Sequence, residues 1–238
     1  MKKMSALRPG LPILGLALIF IFLLPRHNAL VASNGGATFV TSWGSDVTSS
    51  GKLNKPLGLA VDASGNVYVA DTDNHRIQVF NSNGDFVRSW GSYGTADGQF
   101  NLPSDITVDT VGRVYVADTG NNRIQKFTST GLFLLQWGSA GSVAGQFNRP
   151  SALVADSSDD IFVADTDNNR IQKFDSAGGF LIAWGSAGTG NGQFSGPLGI
   201  ATDLAGDIYV ADTGNNRIQK FSTSGIFVFT WGSAGTGN

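Results

Sequence analysis

The pattern of apolar and polar positions breaks this chain into short pieces of near-constant length. Between Leu57 and Trp90 four runs stand in succession: Leu57 to Asp62, Asn66 to Asp71, Arg76 to Phe80 and Asp85 to Trp90. The third alternates with period two, and the runs are separated by Ala63-Ser-Gly65, Thr72-Asp-Asn-His75 and Asn81-Ser-Asn-Gly84. β-rich runs of about five or six residues bounded by Gly, Asn, Asp and Ser predict strands joined by tight turns, an antiparallel meander. No stretch of this unit carries apolar residues at i, i+3 and i+4 over the length a helix needs.

The unit then recurs. Trp43, Trp90, Trp137, Trp184 and Trp231 lie 47 residues apart, as do Pro56, Pro103, Pro150 and Pro197. A fixed period of this size marks a repeat architecture, in which one unit buries its apolar face only against its neighbours. The absence of helical periodicity excludes the helical solenoids. Four strands per unit predict an all-β fold, a β-propeller of four-stranded antiparallel blades. The blades are expected at 57–90, 104–137, 151–184 and 198–231, with an orphan strand at 38–43.

The most regular segment of the repeat is Val114-Tyr-Val-Ala-Asp-Thr-Gly-Asn-Asn-Arg-Ile-Gln-Lys-Phe127, with near copies at 67–80, 161–174 and 208–221. It is preceded by Gly-Gln-Phe-Asn-x-Pro at 98–103 and 145–150. These motifs strongly resemble the NHL-repeat family of β-propellers, and the resemblance covers about residues 38–238. It implies a larger, closed propeller, six-bladed in one reading. The orphan strand at the start calls for three partner strands after Asn238, and the expectation is a truncated product of a longer gene. Closure by four blades, or edge-to-edge association of copies, is the alternative.

The first 33 residues stand apart from this body. Lys2, Lys3 and Arg8 precede an apolar stretch from Leu11 to Leu24, followed by the small-residue region Ala29-Leu-Val-Ala-Ser33. That order describes a secretory signal peptide, with cleavage near Ala32 or Ser33. The stretch is short for a membrane span, and an uncleaved anchor is the alternative. The propeller domain is therefore assigned to 34–238, and the protein is expected to be exported, to the cell envelope or beyond, touching a membrane only if the segment stays uncleaved.

Composition narrows the chemistry. The chain has no Cys, which removes disulfides and thiolate metal sites, and all 18 acidic residues are Asp. Four of the 16 Lys and Arg (Lys2, Lys3, Arg8 and Arg26) precede residue 33, which leaves 12 against 18 Asp, a net charge of −6. Nucleic-acid binding leans on a basic patch, so the acidic body argues against it.

Repeated residues serve what every blade needs. Asp71, Asp118, Asp165 and Asp212 each precede Arg76, Arg123, Arg170 and Arg217 by five positions across a turn. The preferred reading is structural: a carboxylate bonding turn N–H groups, with the Arg bracing the turn. The terminal Trp of each unit reads as outer-blade packing, with a binding stack as the minor alternative. Asp71-Thr-Asp73 and Asp165-Thr-Asp167 resemble the opening of a calcium loop, but the sixth position is Arg and no Glu exists to close it. No cofactor is expected, with calcium at these turns as the minor alternative.

Residues unique to one or two repeats are where a binding site is expected. Asp105 stands where the other units have Gly58, Ala152 and Gly199, on a first strand that lines the channel of a propeller. His75 replaces Asn122, Asn169 and Asn216, and Lys55 and Arg149 precede the prolines where Leu102 and Gly196 stand elsewhere. These four, with Asp73 and Asp167, form the candidate set, expected on one loop-bearing face.

Some six-bladed relatives are enzymes, a zinc lyase and calcium-dependent lactonases among them. Beyond residue 33 one His and no Cys remain for zinc, the lactonase pattern needs Glu, and no Gly-x-Ser-x-Gly occurs. The expected function is a non-catalytic, exported interaction module binding a protein, glycan or small ligand through the loop face. The alternatives are a lactonase- or lyase-like enzyme completed by missing C-terminal sequence, and a structural cell-surface component.

Overall fold

The computed structural model describes residues 50–235. The orphan strand at 38–43 and the segment 1–33 lie outside them. Sixteen strands form four separate sheets. The first holds β1 (Pro56–Val61), β2 (Val67–Asp71), β3 (Arg76–Phe80) and β4 (Phe86–Trp90). The second holds β5 (Pro103–Val108), β6 (Val114–Asp118), β7 (Arg123–Phe127) and β8 (Phe133–Trp137). The third holds β9 (Pro150–Ala155), β10 (Ile161–Asp165), β11 (Arg170–Phe174) and β12 (Phe180–Trp184). The fourth holds β13 (Pro197–Thr202), β14 (Ile208–Asp212), β15 (Arg217–Phe221) and β16 (Phe227–Trp231). Each sheet is an antiparallel meander in chain order.

Each first strand opens one residue before the bound expected from the sequence, at its proline. Pro lacks a ladder donor and is tolerated at a strand's first position. The register shifts just after it, between Pro103 and Asp105 on β5 for example. A bulge of this kind bends the strand and re-aims the next side chains, here Ser104 and Asp105.

The polar turn between second and third strands is a single 3-10 turn, Thr72–Asn74 and its equivalents, closed by a left-handed residue. His75, Asn122, Asn169 and Asn216 hold φ of 53°, 53°, 52° and 55°. Asn tolerates this region best among non-glycine residues. The buried carboxylate before the turn organises it. Asp71 is fully buried and accepts hydrogen bonds from Asn54 N–H (2.6 Å), Arg76 Nε (2.7 Å), Asn74 Nδ2 and Gln78 Nε2. Asp118, Asp165 and Asp212 repeat the arrangement.

The same Arg and Gln reach back into the segment that joins one blade to the next. Arg123 donates to the carbonyls of Thr95, Ala96 and Gln99, and Gln125 to that of Gln99. That joining segment carries Phe100, Phe147 or Phe194, each fully buried. The Phe100 ring lies where a side chain at Gly91 would stand, 2.5 Å from an added Cβ, and Gly91 has φ of 100°. Only Gly satisfies both constraints.

Three apolar cores lie between consecutive blades. In the first, Tyr68, Ala70, Ile77 and Val79 of one blade meet Phe100, Ile106, Val114, Val116 and Phe127 of the next. The other two repeat it. Trp90, Trp137 and Trp184 pack across these seams onto Phe127, Phe174 and Phe221, with centroids 5.7, 5.7 and 5.8 Å apart. The inner strands pack in order, β1 on β5, β5 on β9 and β9 on β13.

Candidate functional site

Three kinds of backbone end meet on the proline end of the sheets: the joining segments, the 3-10 turns and the starts of the inner strands. A chain of hydroxyls stitches this end together. Thr72, Thr119 and Thr166 each donate through Oγ1 to the carbonyl of the following blade's proline, Pro103, Pro150 and Pro197, at 2.7–2.8 Å.

Four of the candidate residues are engaged in pairs on this end. Lys55 Nζ meets Asp73 Oδ2 at 2.6 Å, and Arg149 Nε meets Asp167 Oδ1 at 3.1 Å. Basic residues thus precede the proline in the two blades whose turn carries a second Asp. Where the turn has Gly120 or Gly214 instead, an added Cβ would strike Asn101 or Ser195 within 2.6 Å. His75 takes over the work of Asn: its Nδ1 accepts the Leu102 N–H at 3.0 Å, as Asn122 Oδ1 accepts from Arg149 and Asn169 Oδ1 from Gly196. Its ring also lies edge-on to Tyr93, 5.0 Å away. The structure does not bring these five residues into one cluster, and among the described residues no three His or Asp side chains are grouped to hold a metal ion.

Asp105 is placed differently. With Ser104, Leu57, Gly58, Ser151, Ala152, Leu198, Gly199 and Ile200 it lines an axial cavity of about 420 Å³ at the proline end of β1, β5, β9 and β13. Oδ2 accepts the Leu153 N–H at 2.9 Å. Burial pushes its carboxyl up to about 6, against the pull of the Leu153 and Ile106 backbone N–H groups. Gly58 makes the room: a Cβ there would stand 2.4 Å from both Asp105 Cα and Oδ1.

Two features of this cup escaped the sequence reading. The positions beside the bulge, 57, 104, 151 and 198, read Leu, Ser, Ser, Leu, so the outer two blades offer an apolar residue and the middle two a hydroxyl. Lining up the repeats would have revealed it, but Ser in a glycine-rich repeat reads first as turn chemistry. The second is a series of Asp residues at the opposite end, Asp62, Asp109, Asp156 and Asp203, closing the turn after each inner strand. Asp109 accepts the Val111 and Arg113 N–H groups and the Tyr115 hydroxyl (3.0 Å). At Asp203 the Tyr209 hydroxyl (2.9 Å) holds the carboxyl below its ordinary range.

Comparison with known proteins agrees with this geometry. The model of the NHL repeat matches residues 53–80, 100–127, 147–174 and 194–221. A search of curated proteins gives no match. Among solved structures the chain is similar to a streptogramin B lyase, with TM-score 0.60 and 16% identity over 79% of this chain and 57% of that one. It is also similar to a Staphylococcus aureus virginiamycin B lyase solved with quinupristin, with TM-score 0.57 and 18% identity over 73% and 54%. A nidogen/laminin complex gives TM-score 0.58 and 19% identity over 76% and 64%. The chain thus spans less than two thirds of each of these, and at such identities the likeness is one of fold.

Proposed function

This chain is an NHL-repeat β-propeller protein, and we propose that it serves as a non-catalytic, exported interaction module that takes its ligand on the proline-end face, at the axial cup. The observation that carries the reading is Asp105. It is the carboxylate found in one repeat out of four, it stands in a cavity, and it meets no basic partner there among the described residues. The other charged candidates on the same face, Lys55, Asp73, Arg149 and Asp167, are spent on each other. Fold alone does not choose between a binding protein and an enzyme. Similar structures include two lyases and a complex of two proteins named as such, nidogen and laminin.

The absence of native Cys gives a direct test. Leu198→Cys, labelled with a bulky maleimide, blocks the cup, whereas the same label on Asn83→Cys sits in an exposed turn between β3 and β4. Fluorescent protein is applied to arrays of glycans, peptides and small molecules. The expected result is binding that the Leu198 label abolishes and the Asn83 label leaves intact. Binding that survives the Leu198 label, or chemical turnover of an array compound, overturns the reading. Export is tested separately by N-terminal sequencing of the secreted protein, expected to begin next to Ala32 or Ser33.

A further inference from the structure

We propose that the axial cup is built for an organic ammonium group, with Asp105 as its counter-ion and the exposed Leu57 and Leu198 side chains receiving the apolar substituent. The proposal deepens the reading of the cup as the ligand site and rests on it.

The argument is one of donors and acceptors. Thr119 Oγ1 donates to the Pro150 carbonyl, so the Ser104 Oγ proton bridges to Thr119 Oγ1, 2.5 Å away, with the Ser151 carbonyl as a second acceptor at 2.8 Å. Ser151 Oγ is paired with Thr166 Oγ1, which donates to the Pro197 carbonyl. Each hydroxyl has one proton, and these protons are committed within the protein. What the hydroxylated side presents to the cavity is lone pairs. Asp105 adds a carboxylate, an acceptor in its ionised form. A ligand seated against this side must bring its own hydrogen-bond donors. An anion or a carbonyl finds no side-chain donor among the lining residues.

Charge selects further. Among the described residues Asp105 is the one titratable residue lining the cavity: β1 contributes Leu57 and Gly58, β9 Ser151 and Ala152, and β13 Leu198, Gly199 and Ile200. No charged neighbour contributes to the shift of its carboxyl; burial and two backbone N–H groups account for it. A half-buried carboxylate without a cation is a poorly solvated charge, and an ammonium ion supplies three donors and the missing charge together. Apolar surface comes from Leu57 of the first blade and Leu198 of the fourth, exposed to 65% and 45%. A cavity of about 420 Å³ falls at the small end of ligand sites, which suits a compact amine and not a polymer. The net charge of −6 beyond residue 33 draws cations toward the surface.

The test uses three probes of one shape, benzylammonium, benzyl alcohol and benzoate, titrated into the full chain and followed by amide chemical shifts and calorimetry. Benzylammonium is expected to shift the amides of Ser104, Asp105, Ser151 and Leu198 saturably. Its affinity should fall at least tenfold in Asp105→Asn. In the unaltered protein it should also fall about tenfold between pH 7.5 and pH 5, since a carboxyl titrating near 6 is about one-tenth ionised at pH 5. Equal or tighter binding of benzyl alcohol or benzoate at the same amides overturns the ammonium assignment and leaves the cup as a site. Binding of benzylammonium that ignores both Asp105→Asn and pH overturns it likewise. If no probe moves those four amides, both the assignment and the site fall.

Discussion

At the scale of the residue, the chain uses Asp in two opposite ways. Asp118 is fully buried and satisfied by Asn101, Asn121, Arg123 and Gln125. Removing one member of such a pair leaves the other buried and uncompensated, a loss of about 3–5 kcal/mol. Asp118→Ala is expected to lower stability by that amount in chemical denaturation. Asp105 works against the fold. Its carboxyl is raised from 3.8 in the unfolded chain to about 6, so folding favours the protonated form. The contribution is complete below pH 4 and is lost as pH rises through 6, about 3 kcal/mol in all. Asp105→Asn, which keeps an acceptor for the Leu153 N–H, is therefore expected to stabilise the protein at pH 8 and to leave it nearly unchanged at pH 4. Denaturation of both proteins at the two pH values checks the sign. The sequence pointed to Asp105 because it breaks the repeat. It also pointed to His75 for the same reason, yet His75 only reproduces the acceptor that Asn supplies in the neighbouring blades.

At the scale of the element, period-two alternation and turn residues were enough to place all sixteen strands to within a residue. They could not show that the joining segments are part of the core. Gly-Gln-Phe reads as a polar loop with one aromatic, whereas Phe147 is fully buried, packs 5.5 Å from Phe174 and sits against Gly138. Its burial depends on Arg and Gln side chains from the blade that follows in sequence, a contact no local pattern encodes. Phe147→Ala is expected to cost about 3–5 kcal/mol, as much as a strand residue. Gly138→Ala, at φ of 97° with the Phe147 ring 2.5 Å from the new Cβ, should destabilise by more than the roughly 1 kcal/mol that a strain-free glycine-to-alanine replacement contributes in the opposite direction. Thermal melts of the two variants would distinguish a structural joint from a passive tether.

At the scale of the whole molecule, equal sequences meet unequal surroundings. Leu153 is 3% exposed between two blades, while Leu59, at the same place in the first blade, is 65% exposed. Leu153→Ala is expected to cost about 2–5 kcal/mol and Leu59→Ala less than about 0.5, measured side by side in denaturant. Such differences cannot be read from a repeat, because the repeat records what a blade offers and not what lies against it. The first three blades are each fastened forward by a Thr hydroxyl, all four hold the segment before them with an Arg and a Gln, and the three apolar seams are copies of one another. A protein held by identical seams in series behaves under tension as a chain of equal links. Pulled from its ends in an optical trap, it should yield in steps of one blade, each releasing about 160 Å of extended chain from 47 residues.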